Sequence, residues 1–306
     1  MIRLEGRIFN ESLSRSEELL KYKAKAKSLY DYDTPLQLIT SVITERHSTI
    51  GIYCLGKRII NQTMHQTFYE TSSLVSEKIH YYLLVFVASF EPDSAAAISD
   101  IVFKRSGGNY TVTVLLHRKN SLKQNPGDQQ YFFYQAMEKS ELLFQHPTKA
   151  PYLPYTTMPS RNFTSAVRYW EQRLYTSNCL VLLITDDACK ASRLHLVHLH
   201  YAVEQICLGL IRLFLGYRPN HFSLKYLLEL CAYFSPLASI FLRNETDYDN
   251  ALLKLLTSGV TDLRFGSIEE LPQQDYMVLK QRSLEFISKA TLVATEEIHR
   301  LGLEAK

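Results

Sequence analysis

The sequence predicts an α+β protein in which a mixed-sheet α/β domain is followed by an all-α helical bundle. Three observations carry this reading. Up to about residue 150, short β-rich runs alternate with helical ones, the pattern of a mixed α/β unit. Beyond that point apolar residues recur at helical spacing. Between the two lies a stretch punctuated by Pro147, Pro151, Pro154 and Pro159, a natural linker. The expected division is a helical arm over 1–35, the α/β domain over 36–150 and the bundle over 155–306.

Taken in order, the arm carries Lys21, Lys23, Lys25 and Lys27, which spread around a helix and read as a solvated surface. A strand is predicted over 49–55 (TIGIYCL), ending in a turn at Gly56-Lys57-Arg58. A second covers 81–88 (YYLLVFVA), and a helix follows over 94–103. The turn signal Gly107-Gly108-Asn109 introduces a third strand over 110–117 (YTVTVLLH). A polar helix or loop comes next, then Tyr131-Phe132-Phe133 and a short strand over 141–145. Helices are predicted over 163–178, 190–215, 223–234, 246–263 and 274–301. Periodicity leaves 180–184 (LVLLI) open between strand and helix. Gly216 sits where a helix terminator belongs, Pro219 forbids simple continuation, and Ser223 can cap the next helix.

Composition bounds the function classes. Hydrophobic residues at 46% and charged residues at 21% suit a soluble globular protein with ample core material. Twenty tyrosines and fifteen phenylalanines argue against disorder. A formal charge of +3 is too small to announce nucleic-acid binding from the whole-molecule field. The five cysteines, Cys54, Cys179, Cys189, Cys207 and Cys231, form no CxxC pair, so free reduced thiols in a cytoplasm are expected. No apolar run approaches the roughly 20 residues that cross a bilayer, and the first residues carry Glu5 and no signal core. A soluble cytoplasmic protein without a membrane partner is the expectation.

The order of motifs suggests two families. His200-Tyr201-Ala202-Val203-Glu204-Gln205 in one helix, then Gly216-Tyr217-x-Pro219-x-His221 and the leucines of the next, resembles the HEPN family of helical bundles. The likeness continues to Leu252-Leu253-Lys254-Leu255-Leu256 and Thr261-Asp262-Leu263-Arg264-Phe265. It makes 180–184 helical and implies pairing of two copies through the bundle. The first half resembles nucleotidyltransferases of the polymerase-β type. Those place a glycine turn after one strand and an Asp-x-Asp pair at the start of the next, whose carboxylates hold divalent metal ions.

Here Gly56-Lys57-Arg58 occupies the place of the glycine turn, and His80-Tyr81-Tyr82-Leu83-Leu84-Val85 that of Asp-x-Asp-Leu-Leu-Val. The third strand has Thr111 and Thr113 where a last carboxylate would stand. The interval from Gly56 to His80 is longer than the family's, which implies an insertion over about 59–76. Magnesium wants hard anionic oxygens, so a histidine and a tyrosine cannot gather it. The resemblance therefore implies a degenerate site with no metal cofactor. Phosphate binding retained there would use Gly56, Lys57 and Arg58, with Arg118 opening onto the same edge of the sheet.

Active HEPN ribonucleases use Arg-x(4–6)-His, and Arg193 with His198 or His200 fits that spacing. The family's motif lies later in the bundle, where Arg243, Arg264 and Arg282 have no histidine five to seven places on. His195, His198 and His200 lack a carboxylate or cysteine at ligand spacing, so packing at a helix seam is the expectation and not a metal site. Glu204 stands on an otherwise apolar face and needs a partner, for which Arg218, His221 and Arg264 are the candidates. The function expected is non-catalytic binding of a nucleotide or RNA, with no cofactor beyond such a ligand. The alternative is a metal-independent ribonuclease using Arg193. Apolar groups Met277/Leu284/Ile287 and Phe286/Leu292/Val293 on two sides of the last helix point to a homodimer.

Overall fold

The structure is a computed structural model that describes residues 34–64, 74–91, 93–124, 127–153, 157–184, 193–243, 246–265 and 271–304. The predicted arm lies almost entirely outside the described residues, with its four lysines, and so does Cys189. Helix α1 (Pro35–Arg46) leads into strands β1 (Thr49–Met64) and β2 (Leu74–Val87). Then come α2 (Ser94–Arg105), β3 (Tyr110–Arg118), α3 (Ser121–Gln124), α4 (Gly127–Lys139) and β4 (Glu141–Gln145). The rest is helical: α5 (Phe163–Leu182), α6 (Arg193–Leu215), α7 (Leu224–Cys231), a 3-10 turn (Pro236–Ile240), α8 (Asp247–Phe265) and α9 (Gln273–Glu304). The described residues are thus mixed α+β, with one four-stranded sheet and mostly helical content.

The sheet order is β3-β2-β1-β4. β1 pairs antiparallel with β2 and with β4, while β2 and β3 run parallel, as the crossover through α2 allows. Alternation along the strands sorts the side chains onto two faces. Leu83, Val85, Val112 and Val114 pack under α1 and α2. Leu84, Phe86 and Leu115 face the helical half, where they join Phe133, Tyr217, Ile206 and Phe286 in one continuous core cluster.

Two expectations about the sheet are corrected. Gly56 is not a turn: β1 runs through it to Met64, with a bulge between Cys54 and Gly56. The glycine instead clears room for the ring of Tyr233, which a Cβ would meet at 3.2 Å. Accordingly, Lys57 and Arg58 are strand residues opposite Tyr81 and His80, and the described flanks of the expected insertion, 59–64 and 74–76, pair as antiparallel strand. Gly107 and Gly108 do make a turn, with φ of 62° and 86°.

In the bundle, α6 is the central helix, packed by α5, α7, α8 and α9. Helix α5 approaches it closely because Gly209 faces Trp170; a Cβ there would sit 2.7 Å from the indole. The run 180–184 finishes α5 and the turn behind it, with no strand. α6 is long and apolar enough on average to match a bilayer span, which corrects the expectation that no segment comes near; 67% of that stretch is buried inside the fold, as a core helix requires. Gly216, at φ 67°, ends α6 by donating its N–H to the Arg212 carbonyl. Arg161 donates to the last carbonyls of the helix, those of Arg212 and Leu213.

Candidate ligand cleft at the seam of sheet and bundle

The loop after Gly216 is what fixes the two halves to each other. Tyr217 is fully buried, and its hydroxyl lies 2.8 Å from His117 Nε2 on β3. The buried Gln129 amide brackets Arg218, accepting from its N–H at 2.7 Å and donating to its carbonyl at 3.4 Å. Asn220 donates to the Leu116 carbonyl at 2.7 Å. Ser223 then caps α7 by accepting from the Tyr226 N–H. Farther along, Tyr233 donates to the Leu55 carbonyl at 3.0 Å. These bonds seat α7 beside the end of the sheet that carries His80, Thr111 and Thr113.

At that end His80 is buried, with Nδ1 2.7 Å from the Thr111 hydroxyl and Nε2 2.9 Å from that of Thr113. A neutral imidazole donates from one nitrogen and accepts at the other, so the two threonines take opposite roles. Burial first, then the nearby charges of Arg58 and Lys225, push its pKa down to about 3. Tyr82, in van der Waals reach of Tyr233 with ring centroids 5.0 Å apart, is driven upward by burial and stays a neutral phenol. This donor set does not fit a divalent cation. Both imidazole nitrogens are taken, and none of His80, Tyr82, Thr111 and Thr113 carries an anionic oxygen.

Arg58 crosses from β1 to Glu229 of α7 at 2.7 Å, both side chains mostly buried. Burial raises the Glu229 pKa, against the pull of Arg58 and Lys225. Behind this pair lies a cleft of about 210 Å³ lined by His80, Thr111, Thr113, Ser223, Lys225 and Glu229, with Ser99 and Asp100 of α2 on its far wall. Thr111, Lys225 and Glu229 also line a second cavity of about 470 Å³, where Lys78, Lys254 and Phe103 join them. Lys225 and Lys254 are exposed, and Phe103 is 46% exposed, an aromatic face next to three ammonium groups.

The sequence-predicted phosphate residues do not converge there. Gly56 packs under Tyr233, Arg58 is engaged by Glu229, and Lys57 shares the opposite sheet face with its cross-strand partner Tyr81. Arg118 sits against Phe90 at the other end of β3, seven residues from Thr111, about 23 Å at roughly 3.3 Å per residue. The expectation that Arg118 opens onto the same edge is therefore corrected.

The polar cluster expected around Glu204 is also not assembled. His200 Nε2 lies 3.8 Å from its carboxylate and Gln205 donates to it at 3.4 Å, while burial raises its pKa against the charge of Arg173. Arg218 and His221 belong to the seam loop beyond the helix end, where His221 contacts Ser223 at 3.0 Å. Arg264 is in the last turn of α8, its side chain outside the described atoms. His200 donates from Nδ1 to the Leu256 carbonyl at 2.9 Å, and burial lowers its pKa. His198 is likewise lowered by burial, then by His195. Arg193 and His200 do share a helix face, about 10 Å apart along the axis.

The cleft residues missed by sequence reading, Lys78, Phe103, Lys254 and the pair Lys225/Glu229, come from four separate elements. Only the i,i+4 spacing of Lys225 and Glu229 was a local signal. Compared with known proteins, the chain matches no family model and no curated sequence, so the chemistry of the cleft rests on its own residues.

Proposed function

We propose that this chain is a non-catalytic nucleotide- or RNA-binding regulatory protein, which takes its ligand in the cleft at the seam of sheet and bundle. One observation carries the reading. His80, neutral and bonded through both nitrogens, and the phenol of Tyr82 offer no anionic oxygen to a metal ion, while an open cavity beside them is lined by three lysines. Lys78, Lys225 and Lys254 supply charge for phosphate, and Phe103 a surface on which a base can stack. A cavity of about 470 Å³ falls within the size range of ligand sites, about 300–1,000 Å³. The ribonuclease reading gains nothing from His200, whose imidazole is buried and spent on a backbone carbonyl.

Calorimetric titration with nucleoside triphosphates and with short single-stranded RNA is the test. Binding is expected, with Lys225→Glu/Lys254→Glu weakening it at least tenfold and leaving the melting temperature nearly unchanged, since both lysines are exposed. Incubation with magnesium and labelled triphosphates is expected to transfer no label to protein or RNA. Absence of binding by the unmodified protein, or robust transfer, overturns the reading.

The same proposal includes a homodimer through the bundle, in a narrower form than the sequence suggested. Phe286 and Ile287 are consumed by the core, whereas Met277, Leu284 and Leu292 remain 47%, 38% and 64% exposed along one stripe of α9. Light scattering should return twice the chain mass, and Leu284→Glu should return one.

A further inference from the structure

A second group of cations lies away from the cleft, at the far end of β3. Arg118 ends that strand, Lys119 follows it, and Lys123 stands one turn further on in α3. The Lys119 and Lys123 ammonium groups lie 5.4 Å and 5.2 Å from the centre of the Tyr152 ring, and the Arg118 guanidinium lies 5.5 Å from that of Phe90. Lys119 also donates to the Lys149 carbonyl at 3.5 Å, which ties the segment after β4 to the end of β3. Arg118, Lys123 and Lys149 are exposed, and Tyr152 is 52% exposed.

Two features set this group apart from an ordinary solvated surface. Among the described residues, no carboxylate pairs with Arg118, Lys119, Lys123 or Lys149, so their charges add. The phenol between them registers the sum: hydrogen bonding and charge from Lys123, then charge from Lys119, draw the Tyr152 pKa below its ordinary value. Like charges so close repel, and an anion set between them removes that cost. The second feature is a continuous rim back to the cleft. The cavity of about 210 Å³ shares His221 with a smaller one of about 170 Å³, which is lined by Phe90 and Phe222. Arg118 lies over Phe90, and Phe222 is 57% exposed on the outer side of the seam loop. From Thr111 in the cleft to Arg118 the distance is about 23 Å at roughly 3.3 Å per residue.

We infer that the two cationic groups are the ends of one track for single-stranded RNA, which lies across the outside of the seam loop. The inference rests on the reading of the cleft as a nucleotide or RNA site, and it names the ligand as a strand and not a mononucleotide. The order of side chains decides the class. Lysines and Phe103 stand at the cleft, Phe222 lies between, and Arg118, Lys119, Lys123 and Tyr152 stand at the far end. Cations that follow a backbone, with aromatic rings among them, are how proteins hold single strands without reading their sequence. A mononucleotide cannot touch both groups, while a strand of roughly four or more nucleotides can. The strand passes over the exposed surface, so it needs neither an opening in the sheet nor a movement of α7.

Fluorescence anisotropy of the full chain with a labelled uridine dinucleotide and a labelled uridine dodecamer is the test. The dodecamer should bind at least tenfold more tightly. Lys119→Gln/Lys123→Gln should remove most of that advantage. It should also make the fall of log affinity with log salt shallower by about 1.4, two phosphate contacts at roughly 0.7 each. Tyr152→Leu keeps both cations and should weaken the dodecamer roughly fivefold or more by removing a stacking face. Circular dichroism, and triphosphate binding in the cleft, should be unchanged in both variants. Equal binding of the two oligonucleotides overturns the inference, as does a dodecamer affinity and salt slope untouched by the glutamines. So does equally tight capture of a polyglutamate of matched charge or of phosphatidylserine vesicles, which would make the patch a contact for acidic protein or membrane. If triphosphates bind and the dodecamer gains nothing over the dinucleotide, the track falls and the cleft reading stands. A dodecamer weakened by the glutamines but not by Lys225→Glu/Lys254→Glu overturns the single track and the cleft reading together.

Discussion

His80 and His117 sit on the bundle-facing side of adjacent strands, and each is held neutral by the fold. Burial takes His117 down to about 4, and burial with two nearby cations takes His80 to about 3, both from 6.5. Between those values and 6.5 the unfolded chain binds two protons that the folded chain does not. Stability therefore rises with pH across this window, is fully present above about 6.5, and is lost as pH falls toward 3, by up to about 1.4 kcal/mol per pH unit for each site. Melting temperature measured at pH 7 and pH 4.5 should fall further in the unmodified protein than in His80→Gln/His117→Gln. Equal falls would show that neither histidine carries the effect, since ordinary carboxylates act alike in both proteins. The sequence placed Tyr82 on one strand, with His80 just before its predicted start, and Thr113 on another, but the parallel register setting His80 against Thr111 is a tertiary fact. Arg58 illustrates the opposite failure. Gly56 looked like a turn, yet Ile59 and Ile60 just beyond it already signalled that the strand went on.

Among the elements, α5 and α6 show how much of the bundle one missing side chain supports. Gly209 lies mid-helix, where glycine costs roughly 1 kcal/mol against alanine, so its presence needs a packing reason. Trp170 supplies it, with indole carbon 2.7 Å from the site of a Cβ. Gly209→Ala should gain helix propensity and still lose stability, by about 1–3 kcal/mol as the indole and α5 are pushed away. Chemical denaturation would detect this, and a variant as stable as the parent would show that α5 yields without cost. Helices were the most legible part of the chain. Apolar spacing marked α5 to α9, and Gly216, Pro219 and Ser223 punctuated α6 from α7 because those residues act through local backbone chemistry. The pairing of β3 with β2, and the choice of β3 as an edge, rest on contacts between distant segments that no local period encodes.

At the scale of the molecule, the core ignores the change of period near residue 150. Leu84 and Phe86 of β2, Phe133 of α4, and Tyr217 of the seam loop belong to the same buried cluster as Ile206 and Phe286. The cleft is a product of that continuity: its lysines come from β2, α7 and α8 and its aromatic face from α2, which is why sequence inspection of any one segment could not assemble it. Heat should then melt the two halves together, with calorimetric and van't Hoff enthalpies equal; two resolved transitions would show separate cores. Trp170 offers a way to watch this happen. It is the chain's single tryptophan, 3% exposed and pressed between two helices far in sequence from the sheet. Excited at wavelengths that tyrosine does not absorb, the protein has one lamp, placed in the bundle. Its colour should shift toward red at the same denaturant concentration at which the far-ultraviolet signal of the whole backbone is lost, so that a single indole on one helix reports on the strands as well.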